Sequence, residues 1–344
     1  MRMERTSTGS LVMAALLACG LAMAAPVAAH DTDTDTVAPG ASPFWVNPDS
    51  RAARQAEAWE ARGRQQDAAL LRRIADQPMA TWVGDSDPED EVRRITTAAA
   101  YQDRIPVIAA YDIPHRDCGY FSAGGAPSAY AYRQWVRRLA EGIQDRKALV
   151  ILEPDAVAQL VVGCAGAELE GNRLELIGEA VKTLKALPRT KVYLDAGNAG
   201  WIPDQRELVE ALWQAGVRDA DGFALNVSNF QTTQVSKDYG DRLSAKLGGV
   251  HYVIDTSRNG NGPWLEPADA ETWCNPPHRA LGQVPTTVTG SAIVDAYLWV
   301  KRPGESDGAC RGAPAAGQWW SSYALELARG SDTLPGFPFN PEAQ

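Results

Sequence analysis

From residue 81 onward, short apolar runs rich in β-branched side chains alternate with longer amphipathic stretches. The runs cover 81–84, 106–111, 148–153, 191–195, 222–227, 251–255 and 296–300. Each is nearly continuous in apolar character, as a strand buried on both faces should be. Between them, 128–145, 172–187, 205–215 and 238–247 carry helical periodicity. This alternation predicts parallel strands joined by helical crossovers. A β/α barrel and an open doubly wound sheet both satisfy it. Seven units, and no G-x-G-x-x-G after the first run, favour an α/β fold of the TIM-like barrel kind, distorted and incomplete with seven strands.

The N-terminus follows other rules. Arg2 and Arg5 precede an Ala/Leu-rich run at 11–25. At about 15 residues, that run is too short to cross ~30 Å of hydrocarbon comfortably. Small residues follow at Ala28 and Ala29, so 1–29 reads as a secretory signal. Lipoprotein anchoring at Cys19 is the lesser reading, because Leu17 is atypical of a lipobox. Residues 30–42, rich in Asp and Thr, have almost nothing to bury and read as a flexible linker. The folded unit is expected over 43–344, extracellular and free of the membrane after signal removal. Of five cysteines, Cys118, Cys164, Cys274 and Cys310 lie beyond the signal. An even number in an exported chain suggests two disulfides, with three pairings open and the sequential one closing the shorter loops. A zinc site is the weaker alternative, since there is no C-x-x-C and the His residues are scattered.

Composition narrows the chemistry. The 344 residues are 45% apolar and 22% charged, the balance of a globular protein. Net charge is −10, and no Lys/Arg cluster forms a stripe, so nucleic acid is excluded as a partner. Eleven Trp is a high number, and flat aromatic faces suit neutral sugars.

Polar residues gather just after the strands: Asp85; Asp112 and Asp117; Glu153 and Asp155; Asp195, Asn198 and Trp201; Asn226, Ser228 and Asn229; Asp255 and Arg258; Lys301, Glu305 and Asp307. In barrels these C-terminal strand ends hold the active site. The plainer reading of an Asp there is a helix N-cap, and Asp195 and Asp255 keep a share of it. Nucleophilic Ser chemistry needs a positioned His, of which His115 is the only one near this rim, and the G-x-S-x-G elbow is absent. Gly124 and Gly125 read as a mobile loop, not a phosphate cradle. Carboxylates, amides and indoles are what glycoside hydrolysis uses: one protonated acid, one ionised carboxylate and shelves for sugar rings. Trp82 and Trp201 read as such shelves. Trp135, Trp213, Trp319 and Trp320 fall in helical patterns and read as packing.

The chain resembles glycoside hydrolase family 6, the inverting cellulases. The matching segments are 44–48 (FWVNP), 77–84 (QPMATWVG), 116–119 (RDCG), 151–155 (ILEPD), 194–197 (LDAG), 225–230 (LNVSNF), 255–262 (DTSRNGNG), 273–275 (WCN), 300–308 (VKRPGESDG) and 314–320 (PAAGQWW). The resemblance implies hydrolysis of a β-1,4-glucan chain by a monomer without cofactor or metal, and the pairings Cys118–Cys164 and Cys274–Cys310. It implies Asp155 as general acid, Asp117 as the neighbour that raises its pKa, and Asp307 as a candidate direct base. It further implies Tyr111 beneath the sugar at the cleavage point and Ser122 holding water. Trp82, Asn198, Trp201, Asn229, Trp273, Lys301 and Glu305 follow as substrate contacts. Asn198 departs from the His often found there, and Asp195 is carried over as a supporting group. Compact connections after Cys118 and Cys274 predict an open cleft and internal cleavage.

Overall fold

The computed structural model describes residues 42–163, 173–265 and 271–331. The signal-like segment with Cys19, the Asp/Thr-rich stretch up to residue 41, Cys164 and residues 332–344 lie outside them. Two helices come first, α1 (Arg51–Glu60) and α2 (Gln65–Ala75). Then follow β1 (Thr81–Val83), α3 (Glu89–Tyr101), β2 (Val107–Ala110), α4 (Ala129–Ile143), β3 (Ala148–Leu152), α5 (Ala156–Val161) and α6 (Arg173–Lys185). The rest are β4 (Thr190–Asp195), α7 (Arg206–Gln214), β5 (Gly222–Leu225), α8 (Thr233–Lys246), β6 (Tyr252–Asp255), β7 (Val294–Leu298) and α9 (Ser321–Gly330).

The seven strands form one sheet in sequential order, every neighbouring pair parallel. Alternate strand residues face opposite ways, yet both sets are buried. Val107, Ala109, Leu149, Ile151, Tyr193, Ala224 and Val253 cluster on the inner face. Ile108, Ala110, Val150, Leu152, Val192 and Leu194 join the apolar faces of the helices outside. Two buried faces are why the apolar runs are unbroken in the sequence.

No strand ladder joins β7 back to β1. Two single bonds bring their margins together: Ala80 N–H donates to the Trp299 carbonyl at 2.9 Å, and the Trp82 indole donates to Val300 at 2.8 Å. α1, α2 and α9 pack with Met79 and Trp299 into a separate apolar cluster against that seam.

Several boundaries differ from expectation. β7 spans Val294–Leu298 rather than 296–300. Asp295 interrupts the apolar run, but it sits within the strand, accepting from the Tyr193 hydroxyl at 2.6 Å and pairing with His251 at 2.8 Å. α8 begins at Thr233, well before 238, because the Thr232 hydroxyl caps it by accepting from Val235 N–H. α1 and α2 precede the first strand and so lay outside the alternation. Trp319 is not helical; it pairs with Glu305 in an isolated bridge, and Trp320 is the N-cap residue of α9. Cys274 and Cys310 are bonded as expected, and Cys118 is also disulfide-bonded.

Candidate active site

The acids at the strand ends fall into two sets. One set ties neighbouring strand ends together. Asp112 accepts from Asp85 N–H at 2.9 Å. Glu153 accepts from Asp112 N–H at 3.1 Å and Ile113 N–H at 3.0 Å. Asp195 accepts from Asp155 N–H at 2.9 Å and Gly197 N–H at 3.2 Å. Asp255 accepts from Ser228, Ser257 and Lys301 at 3.0, 2.9 and 2.9 Å. Orphan backbone donors at the rim thereby find acceptors. This corrects the capping expectation for Asp195 and Asp255: they accept from loops, whereas Ser50, Ser128 and Thr232 provide side-chain helix caps. Burial raises Asp112 to about 6 and Glu153 to about 7 against those N–H bonds.

The second set faces a groove of about 1240 Å³ at the C-terminal ends of the strands. All the expected catalytic residues line it: Asp155, Asp117, Asp307, Tyr111 and Ser122. So do the expected contact residues Trp82, Asn198, Trp201, Asn229, Trp273, Lys301 and Glu305. Asp155 precedes α5 with φ at +70°, and its side chain makes no capping bond. Asp117 has φ at +57°, and Glu153, Asn226 and Ser228 are also left-handed. Left-handed non-glycine residues are costly and concentrate at functional sites.

Asp155 and Asp117 line the same groove, and the charge of Asp117 acts on Asp155. Burial raises the Asp155 carboxyl well above the usual range, the charges of Asp195 and Asp117 add to this, and Lys301 opposes it. Asp117 is raised by burial, partly offset by its bonds. It accepts from Ser122 N–H at 2.6 Å and from the Gln159 amide at 3.4 Å. Gln159 is one turn beyond Asp155, so the same helix start serves both acids. Tyr111 sits edge-on to Trp82, with ring centroids 5.3 Å apart. Burial, Asp155 and Asp117 all keep its phenol protonated.

Arg116 organises this side of the groove. Its guanidinium donates to the Tyr111 carbonyl at 2.8 Å and to the Ser122 carbonyl at 2.8 Å, and it pairs with Asp85 at 2.9 Å. Arg116 N–H also bonds the Gly124 carbonyl at 3.1 Å. The loop read as mobile is therefore anchored. Gly125 is required there, since a Cβ would come within 2.0 Å of the Ile113 carbonyl.

The opposite side is ionic. Asp307 lies 2.8 Å from Arg258 and 3.1 Å from Lys301, and accepts from Asn275 N–H at 3.0 Å. Burial alone would raise its pKa, but Arg258 and Lys301 hold it below the usual carboxylate value. Lys301 also donates to the Ser306 carbonyl at 3.1 Å. Asn198 accepts from Gly200 and Trp201 N–H at 3.0 and 3.1 Å, which sets the Trp201 turn. The 117–124 loop and the segment around Trp273 touch through Phe121 and Trp273, with centroids 6.1 Å apart.

Arg116 and Arg258 lie inside the family motifs, but the motifs assign them no role, and no motif includes Gln159 or Phe121. Arg258 pairs with a residue 49 positions away, so no local signal marks it. Gln159 could have been found by its helical offset from Asp155.

A carboxyl with a raised pKa, in one groove with a second carboxyl and with indoles, supplies what cleavage between sugars needs. On a parallel barrel, that defines a glycoside hydrolase. Comparison with known proteins gives the particular family. The family model described as glycosyl hydrolases family 6 matches residues 40–331. Endoglucanase A of Cellulomonas fimi is 47% identical over 292 residues, which is 84% of this chain but only 61% of that protein's length. Endoglucanase 1 of Streptomyces halstedii is 40% identical over 93% of this chain and 98% of its own. Among solved structures, the endoglucanase Cel6 from Mycobacterium tuberculosis, in complex with a thio-linked cellobiosyl cellobioside, superposes with a TM-score of 0.79 at 41% identity. It covers 86% of this chain and 99% of that one. The chain belongs to family 6 of the glycosyl hydrolases.

Proposed function

We propose that this chain is a secreted endo-β-1,4-glucanase that cleaves internal bonds of cellulose or related glucans with inversion. The observation that carries the reading is the Asp155–Asp117 pair in one groove, with Asp155 raised by burial and by its like-charged neighbours. Asp155 is the acid that protonates the leaving oxygen. Asp117 keeps that proton on Asp155 and receives one from the attacking water through a second water, with Ser122 beside it. An inverting pair needs room for that nucleophile, about 6.5–9.5 Å between acid and base. Asp307 is the weaker base candidate, because two cations stabilise its ionised form; it suits holding Lys301 at the substrate better. Tyr111 favours ring distortion at the cleavage point, and the indoles of Trp82, Trp201 and Trp273 carry neighbouring units.

Internal cleavage is supported by the compact 117–124 loop and by the endoglucanase names of the relatives. One observation favours an exo mode instead: Phe121 and Trp273 touch, and a roof over the groove would begin there. Secretion rests on the signal-like N-terminus, and residues 43–344 are the catalytic domain in this reading.

A time course on cello-oligosaccharides tests both chemistry and mode. The expected first product has the inverted α configuration, with cuts at several internal bonds. The viscosity of a soluble cellulose derivative should fall faster than reducing ends appear. A β-configured first product overturns inversion, and cellobiose alone from the outset overturns the endo mode.

A further inference from the structure

A second concavity, of about 350 Å³, lies beside the groove. Arg302 and Glu305 line both spaces, so the two meet at that pair. Its walls come from the chain leading into β1, the turn after β7, the start of α1 and the first half of α3. It therefore sits over the seam where the barrel has no eighth strand to wall the groove.

We propose that this seam pocket is a further glucan subsite, taking sugar units of a chain whose reacting bond lies at Asp155. The inference rests on the glucanase reading and lengthens its binding site. The junction is built: buried Glu305 is held by Arg302 at 2.8 Å and Arg51 at 3.7 Å. Arg51 also donates at 2.6 Å to the carbonyl of Gly317, which lines the main groove, so one side chain spans both spaces. The lining mixes signs, with Arg54 and Arg94 as donors beside Asp49 and Glu91 as acceptors. A neutral polyhydroxylated ligand needs both kinds of partner, whereas an ion or an apolar ligand would want one sign or neither. The volume falls in the range of small-molecule sites, about 300–1,000 Å³. Trp319 Nε1 and Arg302 Nε are buried at this wall with no acceptor among the described residues. Buried donors without partners are rare, and sugar hydroxyls could supply acceptors after small side-chain shifts.

The test compares the full chain with an Arg54→Ala/Arg94→Ala double variant, and with Glu91→Gln as a milder change, on a ladder of cello-oligosaccharides. Thermal unfolding of each variant checks the fold. The expected result is a loss in kcat/KM of at least about fivefold, the worth of roughly one hydrogen bond. The loss should be confined to the longer members, and the preferred cut should move along them. Equal losses at all lengths, or no loss at any, would overturn the subsite while leaving the glucanase reading intact. If the unaltered chain cleaves no member of the ladder, the glucanase reading itself fails, and the subsite with it.

Discussion

Asp155, half-buried, and Asp307, buried, stand on the same rim and line the same groove, yet their surroundings push them in opposite directions. Asp155 is raised by burial, Asp195 and Asp117. Asp307 would be raised by burial too, but Arg258 and Lys301 reverse the sign. The barrel supplies the positions, while the neighbours decide which carboxyl is raised and which is lowered. A bare rim of aspartates does not identify an acid; the local balance of charges does.

The comparison breaks most completely if the proposed proton donor is removed. Asp155→Asn keeps the shape and loses the titrating group. Turnover of unactivated glucans should fall by about 10²–10⁴, the usual worth of general acid catalysis, with binding nearly unchanged. Steady-state kinetics and calorimetry on one cello-oligosaccharide check this; near-normal turnover would remove Asp155 from its role. On the ionic side, Arg258→Met strips Asp307 of one of its two cations. Breaking a buried pair from one side costs about 3–5 kcal/mol, read by denaturant unfolding near pH 7. Because the folded-state pKa of Asp307 is lowered, the stabilisation it confers is present above its unfolded pKa, about 3.9, and is lost as pH falls through the lower folded value. The deficit of the variant should therefore shrink in acid.

The sequence made the strands and the groove residues legible because both depend on local pattern. Two-sided burial gives unbroken apolar runs, and the active side of a parallel barrel follows from chain direction alone. The division of the acids was legible only through the family motifs, not through local pattern. Nothing local distinguishes Asp195, which accepts from Asp155 N–H, from Asp155 itself. That distinction comes from which loop folds over which strand end. The cations on Asp307 show the same limit: Lys301 is six residues away and could be suspected, whereas Arg258 is brought in from the end of another strand. The N-terminal helices were missed for a different reason. They cover a seam that exists only because the barrel lacks a strand, and that gap is a property of the assembled sheet.

The last two predictions test whether neighbouring charge sets the Asp155 proton, and they run in opposite directions. Asp117→Asn removes a like charge, so the pKa of Asp155 should fall. A general acid must be protonated to work, so its ionisation forms the alkaline limb of the pH–rate profile. That limb should move to lower pH, alongside a drop in kcat of roughly tenfold or more from the lost proton acceptor. Lys301→Met removes the cation that opposes the rise, so the pKa of Asp155 should go up and the alkaline limb should move with it. Asp307 would move up as well, since its nearest Lys301 contact is 3.1 Å. Arg258 still opposes that rise, and Asp307 is not the base in this reading, so the acid limb should change little. A purely structural role for either residue would lower activity without moving the limb, or would move it the same way in both variants. Opposed shifts, measured as kcat/KM against pH on one soluble cello-oligosaccharide, are what the electrostatic account requires.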